Sequence, residues 1–503
     1  MLTWTWPRYT QSVILRLYLV SVGLFASDHS NGSDDCYIAG IDDRLRCGLV
    51  KVAENPSQPN GRKIDIHYAV IPAIKNIHRH EALLAIAGGP GQSAIDNGRL
   101  FHRTFSDIRQ TRDLLLIDQR GTGRSNGLQC REDKTISPLI VDDRIFDIAL
   151  ESKQCLAQLD ADVTQYTSAI ALADFEAVRK QLGYHKLHLY GISYGTRMAQ
   201  LYMREYPEAL ATVTLDGVLP MQQSALAVGL AVDRAIQLLL AECARLDDCR
   251  NQFPTLDHSL DTISAQLGRS PIKLQVVHPT SGEPAEFLLT RGKFFGVLRL
   301  ALYSPNTRSL LPLAIDRAAR GNYQAILGLY SLTLGGLDMS MGMHASVVCN
   351  EDLHRFSGNL IGQLKRSRIG GSMLDQISEI CSVWPTNIVD ENFSQPISSD
   401  IPTLLLSGQQ DPATPPEWAD LAMLEMTAAA HLVAPYASHG VAMQTCANSL
   451  IADFVDTRST AGLKSECLEE GGAGGFYLNA NSIDIVSATV PKGQLRNNAE
   501  GAL

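Results

Sequence analysis

His188-Leu189-Tyr190-Gly191-Ile192-Ser193-Tyr194-Gly195-Thr196 forms a short apolar run, a sharp turn with a serine at its apex, and the start of a helix. In that setting the pattern Gly-x-Ser-x-Gly has a mechanical meaning. The serine takes a strained backbone conformation that lifts its hydroxyl clear of a sheet, and the flanking glycines leave room for the strand and helix backbones to meet closely. A chain with 39 glycines can also reach this pattern by accident, and the isolated match reads equally as a Gly/Ser turn. The surrounding segments have to decide.

Working outward, the same arrangement recurs. Residues 81–87 are nearly all apolar and open into Gly88-Gly89-Pro90-Gly91-Gln92-Ser93. Residues 113–118 lead into Gln119-Arg120-Gly121-Thr122-Gly123-Arg124-Ser125, and residues 212–216 precede Gly217. Continuous apolar runs ending in glycines are what strands buried on both faces look like. Residues 64–70 alternate instead, as an edge or antiparallel strand does. Helical patterns lie between, at residues 170–183 with Leu172, Phe175, Val178 and Leu182 on one face, and from Ser193 to Pro207. Strands alternating with helices predict a mostly parallel α/β sheet with helices on both faces. From 221 to 396 the rhythm changes to long helical stretches, with one hairpin at 272–289, and reads as an inserted, mainly helical cap. Sheet-like runs return at 401–407 and 431–435. The expected division is a leader at 1–27, sheet domain at 28–220, cap at 221–396, sheet domain again at 397–470, and a loosely attached, polar Gly-rich tail at 471–503.

Arg8 and Arg16 followed by the apolar residues 17–26 are the parts of a secretory signal peptide, too short to span a bilayer comfortably. Export without a stable membrane span after signal removal is expected, to a periplasm or the exterior. The ten cysteines fall as near neighbours: Cys36 with Cys47, Cys130 with Cys155, Cys243 with Cys249, Cys349 with Cys381, and Cys446 with Cys467. Metal sites would want Cys-x-x-Cys or close histidines, so sequential disulfides in an oxidising compartment fit better. A formal charge of −10 without a basic stripe excludes a nucleic-acid partner. No metal or organic cofactor is implied.

If Ser193 is a nucleophile on such a sheet, an acid and then a histidine should follow it, each in a loop after a strand. Asp411 follows a buried strand in a Gly and Pro turn, whereas Asp400 precedes that strand and Asp420 lies in the next helix. His439 sits in a loop after its strand, whereas His431 opens that strand and His188 lies within another. In this scheme His439 takes the Ser193 proton and Asp411 fixes the imidazole tautomer. Tyr194 and either Gly88 or Gly89 would supply backbone N–H groups for the oxyanion.

Gly88-Gly89-Pro90-Gly91, the Asp118 to Ser125 turn, the Ser193 turn, Asp411 and Ser438-His439-Gly440 together resemble the α/β-hydrolase peptidases of the prolyl aminopeptidase and tripeptidyl aminopeptidase type. The resemblance covers the sheet domain and its C-terminal return, and the cap only loosely. It implies an α/β-hydrolase fold and an aminopeptidase acting through an acyl-enzyme on peptides with a free amino terminus. Ala87 stands where prolyl aminopeptidases have a histidine, which speaks against strict proline specificity. Val348-Cys349-Asn350-Glu351-Asp352 is similar to a cap motif of the tripeptidyl-type members and implies Glu351 first, and Asp352 second, as anchors for the substrate amine. The same acids also read as a solvated pair beside a disulfide. Met339, Met341 and Met343 read as cap packing, and the Asp118 to Ser125 turn as scaffolding. A carboxylic-ester hydrolase using the same triad is the first alternative, and a non-catalytic relative the second. Oligomeric state is not legible.

Overall fold

The computed structural model describes residues 34–130, 137–278, 281–334, 339–355, 357–470 and 474–483. The leader therefore lies outside the described residues, as do most of the tail and the tip of the hairpin in the helical region.

Nine strands form one sheet. In chain order they are β1 (Asp34–Cys36), β2 (Leu45–Ala53), β3 (Lys63–Ile71), β4 (Glu81–Ile86), β5 (Asp113–Ile117), β6 (Lys186–Ile192) and β7 (Leu210–Asp216), followed after the helical region by two more. Within that region β8 (Ile272–Val277) and β9 (Pro284–Leu289) pair antiparallel as a separate hairpin. The main sheet resumes with β10 (Thr403–Gly408) and β11 (Ala429–Ala434), giving the spatial order β1-β2-β3-β5-β4-β6-β7-β10-β11. The first three pairings are antiparallel and the rest parallel. Burial explains the sequence pattern. Every residue of β5 and β10 is buried, and nearly every one of β4, β6 and β7, because helices cover both faces. β11, at the edge, is only half buried.

Two apolar cores flank the sheet. On one face Leu84, Leu115, Leu189 and Val213 meet Phe175 and Val178 of the helix Ser168–Leu182 and Met198 and Tyr202 of the helix Tyr194–Glu205. On the other, Leu83, Leu116, Tyr190 and Leu406 meet Phe101, Phe105, Ile451 and Phe454. A third core, built from Ile236, Leu239, Leu260, Phe294, Leu298 and Ile315, belongs to the helical region and has no share in the sheet. The helix Met341–Glu351 departs from that separation. Its Met343, Ala345, Val347 and Cys349 pack with Tyr194 and Met198 in the sheet domain's own core.

All five proposed cysteine pairs are disulfides. The expectation of a loose tail needs one correction. Phe476 is buried in the helical core, under the Arg308 guanidinium, and Tyr477 donates its N–H to the Ser309 carbonyl at 3.0 Å. A large aromatic side chain gains more from such a pocket than from water, so this part of the glycine-rich segment is tied down. Among the described residues no helix is long and apolar enough to cross a membrane.

Candidate active site

The parallel register aligns the strand ends that carry the candidate residues. Ile86 pairs with Gly191, Ile192 with Asp216, and Asp216 with Leu406. The loops after β4, β6, β7, β10 and β11 thus emerge together at the carboxyl edge of the sheet, where open α/β sheets bind ligands.

Ser193 sits at φ 57°, ψ −123°, immediately before the helix Tyr194–Glu205. A non-glycine residue at positive φ is strained, and such strain collects at functional sites. The glycines beside it are a matter of space. A Cβ on Gly195 would stand 2.4 Å from the Ile86 carbonyl oxygen, and one on Gly191 would stand 2.4 Å from that of Gly195. Neither position tolerates a side chain while strand and helix stay where they are. Tyr194 is the first residue of its helix, so its N–H has no acceptor within the helix. The Gly88 and Gly89 N–H groups likewise meet no acceptor among the described residues, and a Cβ on Gly88 would touch Ser193 Cβ at 3.1 Å. The backbone of Tyr194 follows the serine directly, and that of Gly88 lies against it.

Asp411 is fully buried in the turn after β10. Its Oδ1 accepts N–H bonds from Ala413 at 2.7 Å and Thr414 at 2.9 Å, and its Oδ2 accepts the Thr414 hydroxyl at 2.9 Å. The same Oδ2 lies 2.8 Å from His439 Nδ1. That contact places the proton on Nδ1 and leaves Nε2 free to accept one. Burial by itself would lower the imidazole pKa, but the charge and hydrogen bond of Asp411, with Asp216 beyond it, hold it above the ordinary value. The Tyr303 ring meets the imidazole edge-on, with centroids 5.0 Å apart. Among the described residues no hydrogen bond joins Ser193 to His439; such contacts commonly tighten only around substrate.

Two histidines set aside from the sequence have structural partners. His188 is buried against Thr212 Oγ1 at 2.8 Å and Glu81 at 3.2 Å. His431 bridges Asp420 at 2.8 Å and Ser407 at 2.9 Å. The Asp118 to Ser125 turn is internally tied. Asp118 accepts from Ser93 Oγ at 2.6 Å and from the Ile95 and Arg124 N–H groups, while Arg120 grips Asp174 through two bonds of 2.6 and 2.7 Å.

The two candidate amine anchors are both fully buried. Asp352 is fully buried and paired with Arg197 at 2.9 and 3.1 Å and with Arg355 at 3.2 Å, and it also accepts the Ala225 N–H. These partners and its full burial hold it against Arg197 and Arg355. Glu351 is equally buried, its Oε1 taking the Ser168 N–H at 2.7 Å and its Oε2 the Ser168 hydroxyl at 2.8 Å. Ser168 in turn bonds the Tyr194 hydroxyl at 2.6 Å, which also receives Gln119 at 3.0 Å. Burial lifts the Glu351 carboxyl to about 7, against the pull of Arg197. Both acids thus brace the helix behind Ser193 from inside the core. Met341–Glu351 turns its apolar face into the sheet domain and carries both acids with it.

The most informative residue overlooked in the sequence is Asp216. Its main-chain carbonyl accepts the Ser193 N–H at 3.0 Å. Its carboxylate accepts the N–H groups of Val441 at 2.8 Å and Ala442 at 2.9 Å, just beyond His439, and the Tyr190 hydroxyl at 2.8 Å. One buried residue ties the serine turn to the histidine loop. Next to it, Gly217 at φ 66° lies against the imidazole, where a Cβ would come within 3.0 Å of His439 Cε1. The only signal in the sequence was an acid ending a buried strand just before a glycine.

Comparison with known proteins gives the same fold. Residues 81–251 match a family described as alpha/beta hydrolase fold, and residues 367–467 one described as TAP-like protein. The serine protease Hip1 of Mycobacterium tuberculosis is 23% identical over 417 residues, covering 73% of this chain and 76% of Hip1. The tripeptidyl aminopeptidase of Streptomyces lividans is 22% identical over 192 residues, 35% of each chain. The proline iminopeptidase of Neisseria gonorrhoeae is 27% identical over 136 residues, covering 27% of this chain and 32% of its own. The sheet order, the strained serine turn and these matches together give the chain the α/β-hydrolase fold, with a TAP-like segment and a likeness to serine peptidases.

Proposed function

We propose that this protein is an exported serine peptidase that releases short N-terminal units from peptides through an acyl-enzyme. The observation that carries the reading is the 2.8 Å bond from His439 to the buried Asp411, on loops that emerge beside a serine held at positive φ. Ser193 Oγ attacks the scissile carbonyl carbon as His439 Nε2 accepts its proton, and Asp411 stabilises the imidazolium so formed. The N–H groups of Tyr194 and of Gly88 or Gly89 receive the oxyanion. When the tetrahedral intermediate collapses, His439 returns the proton to the leaving amine, and water then repeats the sequence on the ester. The aminopeptidase character is supported by the tripeptidyl aminopeptidase and proline iminopeptidase among the relatives. Export, to a periplasm or the exterior, is supported by the disulfides, which persist in oxidising compartments.

The test has two arms. A serine-directed fluorophosphonate should label the native protein and leave Ser193→Ala unlabelled; equal labelling of both removes Ser193 from its role. A free-amine aminoacyl substrate should be cleaved in preference to its N-acetylated form, and equal turnover sinks the aminopeptidase assignment in favour of an esterase or an internal peptidase.

A further inference from the structure

The helical insertion meets the histidine loop just past the end of the helix Arg291–Ala301, where Ser438 Oγ donates to the Leu302 carbonyl. The Gln444 side chain closes the same junction. Its Oε1 accepts the Ser438 N–H at 2.9 Å, and its Nε2 donates to the His439 carbonyl at 2.6 Å and to the Tyr303 carbonyl at 3.4 Å. Tyr303 is thus fixed to the loop that carries His439, and its ring meets the imidazole with centroids 5.0 Å apart and planes at 70°.

Tyr303 is half-buried and belongs to none of the apolar cores, and among the described residues the His439 imidazole is the only ring it meets. The Nδ1 edge of that imidazole is taken by Asp411, Thr414 and Gly217. Its faces and its Nε2 edge are left for Tyr303 and for a substrate. A large aromatic side chain kept out of the cores and partly in water, beside a reacting group, gains when a ligand covers it.

The reaction decides which part of a peptide comes there. The carbonyl of the acyl half faces the glycine loop, where Gly88 lies against Ser193 and a Cβ on Gly89 would stand 3.4 Å from Met339 Sδ. The departing nitrogen faces His439, because Nε2 hands it the proton. A ring packed on the imidazole therefore borders the leaving half. We propose that Tyr303 is a specificity-determining residue for that half, and that its ring selects an apolar side chain, aliphatic or aromatic, on the residue immediately after the cut. This rests on the peptidase reading above. Covering the ring with such a side chain removes apolar surface of both from water, whereas an acidic side chain gives up hydration for a ring face that carries the same sign of charge.

The experiment uses the full chain with Tyr303→Phe, Tyr303→Ser and, on the acyl side, Met339→Ala. Four peptides share the acyl half and differ only in the residue after the cut, which is Gly, Asp, Leu or Phe. The native protein should favour Leu and Phe over Gly and Asp by on the order of tenfold in kcat/KM. Tyr303→Phe keeps the ring and should keep the preference, Tyr303→Ser should bring the four values together, and Met339→Ala should leave their ratio as it was. Equal native turnover of the four peptides, or a native preference for Gly or Asp, overturns the proposal. A ring that only steadied the imidazole would lower all four values by one factor in Tyr303→Ser, and that result overturns it too, as does a Met339→Ala variant that flattens the ratio as fully. Phosphonate labelling reports separately on Ser193: labelled native protein without the preference refutes the role of Tyr303 alone, and unlabelled native protein refutes the peptidase reading. If Tyr303→Ser no longer labels, Tyr303→Gln, which keeps bulk without the ring, is read in its place. If the site is labelled but cleaves none of the peptides, their protection of Ser193 from labelling is compared instead, and equal protection by the Leu and Gly peptides again refutes the selection.

Discussion

Replacing Glu351 by glutamine separates the bracing role seen in the structure from the amine-anchor role implied by the resemblance. Glu351 accepts two hydrogen bonds from Ser168 and is held near pH 7 by burial. Glutamine fits the same place. Its Oε1 can keep the Ser168 N–H, and its Nε2 can donate to the Ser168 hydroxyl, whose own proton then turns to the Tyr194 hydroxyl 2.6 Å away. That is the pattern a protonated Glu351 would make. A carboxyl moved from 4.5 to about 7 is destabilised in its charged form by about 3 kcal/mol. Because the folded pKa is raised, the folded state binds more protons than the unfolded chain between those values. The contribution is therefore fully favourable below pH 4.5 and is lost as pH rises to about 7. Glu351→Gln should consequently match the native protein in stability at acid pH and exceed it by up to about 3 kcal/mol at pH 8. Denaturant midpoints measured from pH 5 to 8 provide the assay, with kcat/KM on free-amine and N-acetylated substrates alongside. Activity should fall equally little on both. A variant less stable than the native protein at pH 8, or one that loses turnover only on the free-amine substrate, refutes the argument and restores Glu351 to the substrate.

Two further outcomes follow from the same geometry. Asp216→Asn presents an amide N–H to one of the two backbone donors its carboxylate now serves, at a cost of about 1–3 kcal/mol in the histidine loop, so kcat should drop. The native acidic limb of kcat/KM should have its midpoint above 6.5, and in Asp216→Asn that midpoint should move down because one of the charges supporting the imidazolium is gone. An unmoved limb would leave Asp216 a merely structural residue. The Cys349–Cys381 bridge closes a separation of 32 residues, so the double alanine variant should lose about 3–4 kcal/mol in denaturant melts by the chain-entropy relation, and an unchanged midpoint would refute it.

The sheet was legible, and the candidate serine, acid and histidine could be set on its strand ends, because both rest on local properties. A strand covered on both faces needs an unbroken apolar run, and a turn where a Cβ would come within 2.4 Å of a neighbouring carbonyl oxygen needs glycine. The disulfides were legible for a similar reason, since each closes a short separation. What stayed hidden depends on partners remote in the chain. Glu351 and Asp352 were read as amine anchors, or else as a solvated pair, from a cap motif that says nothing of their burial. Which face a helix turns inward is fixed by tertiary packing, and Met343, Val347 and Cys349 found their apolar complement beside Tyr194.

Asp216 shows why such residues escape a linear reading. Its strand is legible as a buried run, but the N–H groups its carboxylate holds lie 225 and 226 positions further on. Its carbonyl accepts from Ser193, its neighbour Gly217 leaves space for the imidazole, and its charge supports the imidazolium. The elements carrying Ser193 and His439 are separated by the whole helical insertion, yet their relative placement is set at one strand end. The insertion can therefore vary in length and shape without disturbing the geometry that would perform the chemistry.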